Sequence, residues 1–290
     1  MSRFSPWLSM LFLAVTGCRM ADREPQSSND DAQHVRALTR PVAFRVPSDS
    51  EISDPEFLRS LQRGRALMRN TRDSLPAHVG SRLQCSSCHL KEGTQKGAIS
   101  LIGVYSRFPQ YRTRTDRVDV IEDRVNDCFE RSLNGRAIDR AGSDMRDLVT
   151  YIAFLSRGVP AGAHVEGGQG SPAIEPPLVG DTARGARSFA TTCAICHGVD
   201  GQGTNAAPPL WGPHSFNIGA SMARVRTAAA FIRAAMPLTQ PGTLTPQQAF
   251  DLAAYVNSHT RPDFAKKTLD WPRGNPPPDV PYPTRGKRSD

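Results

Sequence analysis

The sequence predicts an all-α protein of two small helical units in tandem, joined by a Gly/Pro-rich linker and flanked by extended N- and C-terminal tails. Three observations predict it. The pattern C-x-x-C-H occurs twice, at Cys85–His89 and at Cys193–His197. Each copy is preceded by a stretch with helical apolar spacing and followed by long loops and two more such stretches. Between the copies, residues 158–179 are dense in glycine and proline, the composition of a connector.

The elements follow in order. Residues 1–18 read as a lipoprotein-type signal peptide: Arg3, the apolar run Trp7–Val15, then Val-Thr-Gly ending at Cys18. The apolar run is too short to span a bilayer. The residues before Cys18 form a lipobox-like pattern, so Cys18 is expected to carry the lipid. The mature protein is then periplasmic and held to a membrane by its lipid anchor alone. Residues 19–53 are a polar tether containing Pro25, Pro41 and Pro47.

The first unit covers 54–160. Asp54 is placed to cap a helix whose first residue is Pro55, with Phe57, Leu58, Leu61, Leu67 and Met68 on its apolar face. A second helix is expected over Asp116–Asn134, with Val118, Ile121, Val125, Cys128, Phe129 and Ser132 near one face and Gly135 as its stop. A third runs from Asp144 to Ser156. Residues 161–178 are the linker. The second unit, 179–264, repeats the plan: Thr182–Thr192, the second motif, Met222–Ala235, and a helix capped by Thr245-Pro246 and running through Ser258. The proline-rich tail, 265–290, is expected to lie extended over the units or to remain disordered.

Composition bounds the function. The 290 residues suffice for two small domains plus tails, and a net charge of +8 favours anionic partners. The arginines lack aromatic interleaving or a nucleic-acid fold signature, which argues against nucleic acid as the partner.

The two motifs carry the chemistry. Two thiols spaced to reach two vinyl groups, with a histidine directly after them, attach a haem covalently and place an imidazole under the iron. At this chain's cysteine and histidine frequencies one chance match is expected about 0.003 times per chain, so two are not accidental. Zinc needs four ligands, and each copy offers a single cysteine pair. The expected cofactors are therefore two covalently bound haem c groups, attached through Cys85, Cys88, Cys193 and Cys196, with His89 and His197 as proximal iron ligands.

Each iron needs a sixth ligand. In the second unit Met236, after a helix and before Pro237, is preferred to Met222, which reads as core; thioether ligation suits electron transfer. In the first unit Met145, Met68, His78 and Cys128 compete. Cys128 stands out because attachment and lipidation use every other cysteine. Arg107, Arg112, Arg114, Arg117, Arg124 and Arg131 crowd its region, and Arg124 and Arg131 lie about one helical turn away. Such neighbours favour a thiolate and attract an anion.

With these residues in hand, the sequence resembles the dihaem thiosulfate dehydrogenases, which join two thiosulfates into tetrathionate. The stretches LPAHVGSRLQCSSCHL, IEDRVNDCFERSLNG, YIAFLSRGVPAG, CAICHGVDGQGT and FIRAAMP carry the resemblance. The first unit is also similar to the thiolate-ligated haem protein of the Sox sulfur-oxidising system. The resemblance implies His/Cys ligation of the first haem, with Cys128 both iron ligand and catalytic thiol. It implies a Cys–S-sulfonate type intermediate, Arg114 and Arg124 around the substrate, and Ser132 one turn after the cysteine. It implies His/Met ligation of the second haem through Met236, which passes electrons to an external acceptor such as a small cytochrome c or a high-potential iron–sulfur protein. Some relatives carry a lysine just before that methionine; here the position is Ala235. The competing expectations are a non-catalytic dihaem electron-transfer cytochrome and a Sox-like dehydrogenase acting on a sulfur carrier.

Overall fold

The computed structural model describes Met1 and residues 41–284. The predicted signal peptide beyond Met1, with Cys18, and residues 19–40 of the tether lie outside the described residues, as do the last six of the tail.

Helix α1 (Pro55–Arg69) begins as its sequence dictates: the Asp54 carboxylate accepts the Glu56 and Phe57 amides at 2.8 and 3.2 Å. Its buried face is Leu61, Gly64, Leu67 and Met68. That face packs on a later helix, Ser143–Phe154, which buries Met145, Leu148, Tyr151 and Ile152. The two axes meet at Gly64, where an added Cβ would sit 2.0 Å from the Asp147 carbonyl oxygen. Only glycine permits that approach.

Between these helices the structure departs from the predicted Asp116–Asn134 helix. Gln110–Arg112 (β1) and Arg117–Asp119 (β2) form an antiparallel hairpin, and α2 spans only Ile121–Asp127. Turn chemistry overrides the apolar period here. Asp116 adopts φ +54° and accepts the Tyr111 hydroxyl at 2.6 Å. The Asp123 carboxylate then accepts the Val120 amide at 3.1 Å and starts α2. After α2 the backbone widens into one π-helical turn, Cys128–Ser132. Gly135 acts through close approach rather than through a left-handed cap: a Cβ there would lie 1.9 Å from the His78 carbonyl oxygen. The Ser143–Phe154 helix is α3.

The second unit is built alike. Helix α4 (Thr182–Ser188) leads into a π-helical turn, Phe189–Cys193, and a short helix, Ala194–His197. Helix α5 covers Val225–Ala235, so Met222 sits in the preceding 3-10 turn and not in the helix. Helix α6 is Pro246–Ser258, with the predicted cap: Thr245 Oγ1 accepts the Gln248 amide and the Gln248 side chain accepts the Thr245 amide. Gly185 of α4 lies against α6 as Gly64 lies against α3; its Cβ would meet the Asp251 carbonyl oxygen at 2.1 Å. The internal repeat thus extends to a shared glycine–aspartate–tyrosine contact: Gly64, Asp147 and Tyr151 in one unit, Gly185, Asp251 and Tyr255 in the other.

The fold is mostly helical, with one small hairpin. The connecting segment is packed by bridges from Val165 to Val42 of the tether and from Gly170 to Ser100 of the first unit, with Val165 fully buried. The tail is packed as well, burying Asp270, Trp271, Val280 and Tyr282. Residues 41–284 all fall in one compact unit. Among the described residues no helix is long and apolar enough to cross a membrane.

Candidate active site

A largely apolar cavity of about 530 Å³ opens in the first unit. Cys85, Cys88, His89 and Cys128 all line it, with Met68, Leu83, Leu101, Phe129 and Leu148 among its apolar walls. The thiol of Cys85 is fixed by Thr71, whose hydroxyl lies 3.1 Å from Sγ and accepts the Cys85 amide at the same distance. His89 directs Nδ1 to the Ile99 carbonyl at 2.7 Å, and His197 directs Nδ1 to the Pro208 carbonyl at 2.9 Å. Each histidine so held keeps Nδ1–H and presents a bare Nε2 lone pair, the arrangement of metal-ligating histidines. The paired thiols, the oriented imidazole and the apolar cavity fit a c-type haem in the first unit. The second offers the same donors beside an apolar cluster of Phe189, Trp211, Leu252 and Val256, against which Cys193, Leu210 and Ile232 pack.

Cys128 differs from the attachment thiols. Desolvation pushes Cys85 and Cys88 up to about 12. Desolvation would do the same to Cys128, but the Arg124 charge and the His89 ring together outweigh it and bring the thiol down to about 7. The reason is local: Arg124 is one turn earlier, and its Nη1 donates to Cys128 Sγ at 2.9 Å. Ser132, one turn later, lines the same cavity.

The other first-unit candidates separate. Met68 lines the cavity, Met145 is core, and His78 Nδ1 faces the Arg136 and Ala137 carbonyls. Met222 lines the first cavity, whereas Met236 follows α5 and packs on Ala98, Phe231 and Ala235.

The arginines separate too. Arg112 lines the cavity and pairs with Asp127 at 2.9 Å. Arg114 and Arg131 lie in a buried cluster with the tail. Arg131 makes two 2.8 Å bonds to the Asp270 carboxylate, which also accepts the Tyr282 hydroxyl at 2.6 Å. Arg114 donates to the Gly219 carbonyl, lies 3.9 Å from Asp270 and stacks over Trp271 at 4.6 Å. Burial, then the like charge of Arg131, lowers Arg114 to about 10. Asn217 reinforces the contact. It donates its backbone N–H to the Arg131 carbonyl and its side-chain amide to the Glu130 carbonyl. The π-helical turn bearing Cys128 is thereby clamped by the second unit and the tail. No sequence signal marks Asp270, Trp271, Tyr282 or Asn217, because each acts across a long separation in the chain.

Comparison with known proteins gives two family matches. Residues 78–161 match the SoxA/TsdA cytochrome c domain and residues 182–260 the cytochrome c family. The chain is 41% identical to a thiosulfate dehydrogenase of Psychrobacter arcticus over 82% of its own length and 74% of the relative's. It is 41% identical to one from Allochromatium vinosum over 79% and 88%. Among solved structures it resembles thiosulfate dehydrogenase (TsdBA) from Marichromatium purpuratum, with TM-score 0.70 and 36% identity. That match covers 80% of this chain and about half, 51%, of the other.

Proposed function

This chain belongs to the thiosulfate dehydrogenase family of two-haem c-type cytochromes, and from that premise we propose that it oxidises two thiosulfate dianions to one tetrathionate. The observation that carries the reading is the 2.9 Å contact of Arg124 with Cys128 in the cavity also lined by Cys85, Cys88 and His89. It supports an activated thiolate beside a redox cofactor, in a cavity with cations for a dianion.

The Cys128 thiolate forms a sulfur–sulfur bond to the sulfane sulfur of one thiosulfate as two electrons leave. A second thiosulfate attacks that sulfur, releases tetrathionate and returns Cys128 as thiolate. Arg124 keeps Cys128 ionised at both ends of the cycle. The haems, when bound, supply the one-electron acceptors that relay these two electrons to an external small cytochrome c or high-potential iron–sulfur protein.

Purified holoprotein given thiosulfate and ferricyanide should form one tetrathionate for every two ferricyanides reduced. Reduction without tetrathionate refutes the reading. Met236 is proposed as the second haem's distal ligand. Met236→Leu should remove the sulfur-to-iron absorption band at the red end of the spectrum, and Met222→Leu should leave it. The reverse pattern refutes the ligand assignment.

A further inference from the structure

Five arginines line the first cavity, namely Arg107, Arg112, Arg124, Arg224 and Arg226, against one carboxylate, Glu175. Arg112 is paired with Asp127, and Arg124 is turned to Cys128. Arg224 is different. It comes from the second unit, at the residue before α5, and its Nε is buried with no hydrogen-bond partner among the described residues. It forms no ion pair with a described carboxylate. Asp279 is near the same helix start, but its Oδ2 accepts the Arg226 amide at 2.9 Å and its buried Oδ1 is itself without a partner. Arg114 senses Arg224 as a like charge, and the neighbouring Arg131 has already engaged Asp270. A buried guanidinium N–H without an acceptor, among other guanidinium groups, is costly unless an anion completes it.

We propose that Arg224 is an anion-binding residue which the second unit contributes to the first unit's cavity. The acceptor is an anionic oxygen, either a sulfonate of the substrate or a carboxylate of the haem held there. The site is then composite, and the second domain does more than relay electrons. The substrate alternative rests on the function proposed above; the haem alternative does not.

The test compares wild type with Arg224→Gln, both as holoprotein, by thiosulfate kinetics and by potentiometric titration of the first haem. A rise of about tenfold or more in KM assigns the residue to substrate, as expected for losing a charge-assisted bond to a dianion. An unchanged KM with a lower midpoint potential of the first haem assigns it to the haem carboxylate, because losing a nearby cation favours the oxidised iron. Arg224→Lys, which keeps the charge, should recover part of either effect. If neither quantity moves, including where only thermal stability falls, the proposal is overturned. If wild type does not turn over thiosulfate, the proposed function fails, and the midpoint potential alone decides the role of Arg224.

Discussion

Cys128→Ala is expected to lower thiosulfate turnover by at least about three orders of magnitude, the scale of losing a covalent nucleophile, while both haems stay attached. The attachment residues are Cys85, Cys88, His89, Cys193, Cys196 and His197, none of which the change replaces. The fold should also survive. Cys128 lies on a half-buried π-helical turn whose backbone is held by the Leu133 amide on the Cys128 carbonyl at 2.9 Å and by the clamp around Arg131. A small buried-thiol truncation costs about 1–2 kcal/mol. The absorption and paramagnetic-resonance signals of the first haem should change and those of the second should not. A folded Cys128→Ala protein that makes tetrathionate at the wild-type rate would leave a simple electron relay as the better reading.

The second large effect is on stability. Asp270→Ala should destabilise the protein by about 3–5 kcal/mol, the range for removing one partner of a buried ion pair. Asp270 is 2% exposed, and its loss takes from Arg131, itself 7% exposed, both of its 2.8 Å bonds. Nη2 is left without an acceptor, and only the longer contacts to Asp127 at 3.3 Å and the Gly219 carbonyl at 3.4 Å remain beside the like charge of Arg114. The Tyr282 hydroxyl loses its acceptor as well. Urea unfolding monitored by far-ultraviolet dichroism measures this. A loss below about 1 kcal/mol, the level of an exposed pair, would show that the cluster is relaxed or hydrated in solution. Tyr282→Phe, which removes only the hydroxyl, should cost far less, about 1 kcal/mol.

Much of this is legible in the sequence, for local reasons. The caps at Asp54-Pro55 and Thr245-Pro246 are satisfied within four residues, so their spelling alone places α1 and α6. The two C-x-x-C-H motifs are equally local, and the cavity gathers the first of them with Cys128, Arg124 and Ser132. The helix expected from Asp116 does not form, although Val118 and Ile121 fit a helical period. The hairpin there is fixed by Asp116 in a left-handed turn and by Asp119, 1% exposed, beneath Thr115 and Arg117. Arg114 and Arg124 look alike in sequence, yet only Arg124 reaches the thiol. What separates them is Asp270 and Trp271, which no local pattern connects to either. Gly64 and Gly185 carry no local signal of their role, which appears only when the partner helix is in place.

The bond between Arg131 and Asp270 closes a span of 139 residues. Synthesis proceeds from the N-terminus, so the first cysteine–histidine motif and Cys128 are made long before the carboxylate that pairs with Arg131 on the turn bearing Cys128. A chain ending anywhere before Asp270 lacks that partner, and Asp127 and the Gly219 carbonyl are then the acceptors left to Arg131. The hold on the turn that carries the thiol is therefore among the last features of the molecule to be completed, and a C-terminal truncation that spares every haem-attachment residue would still loosen that turn of the first domain.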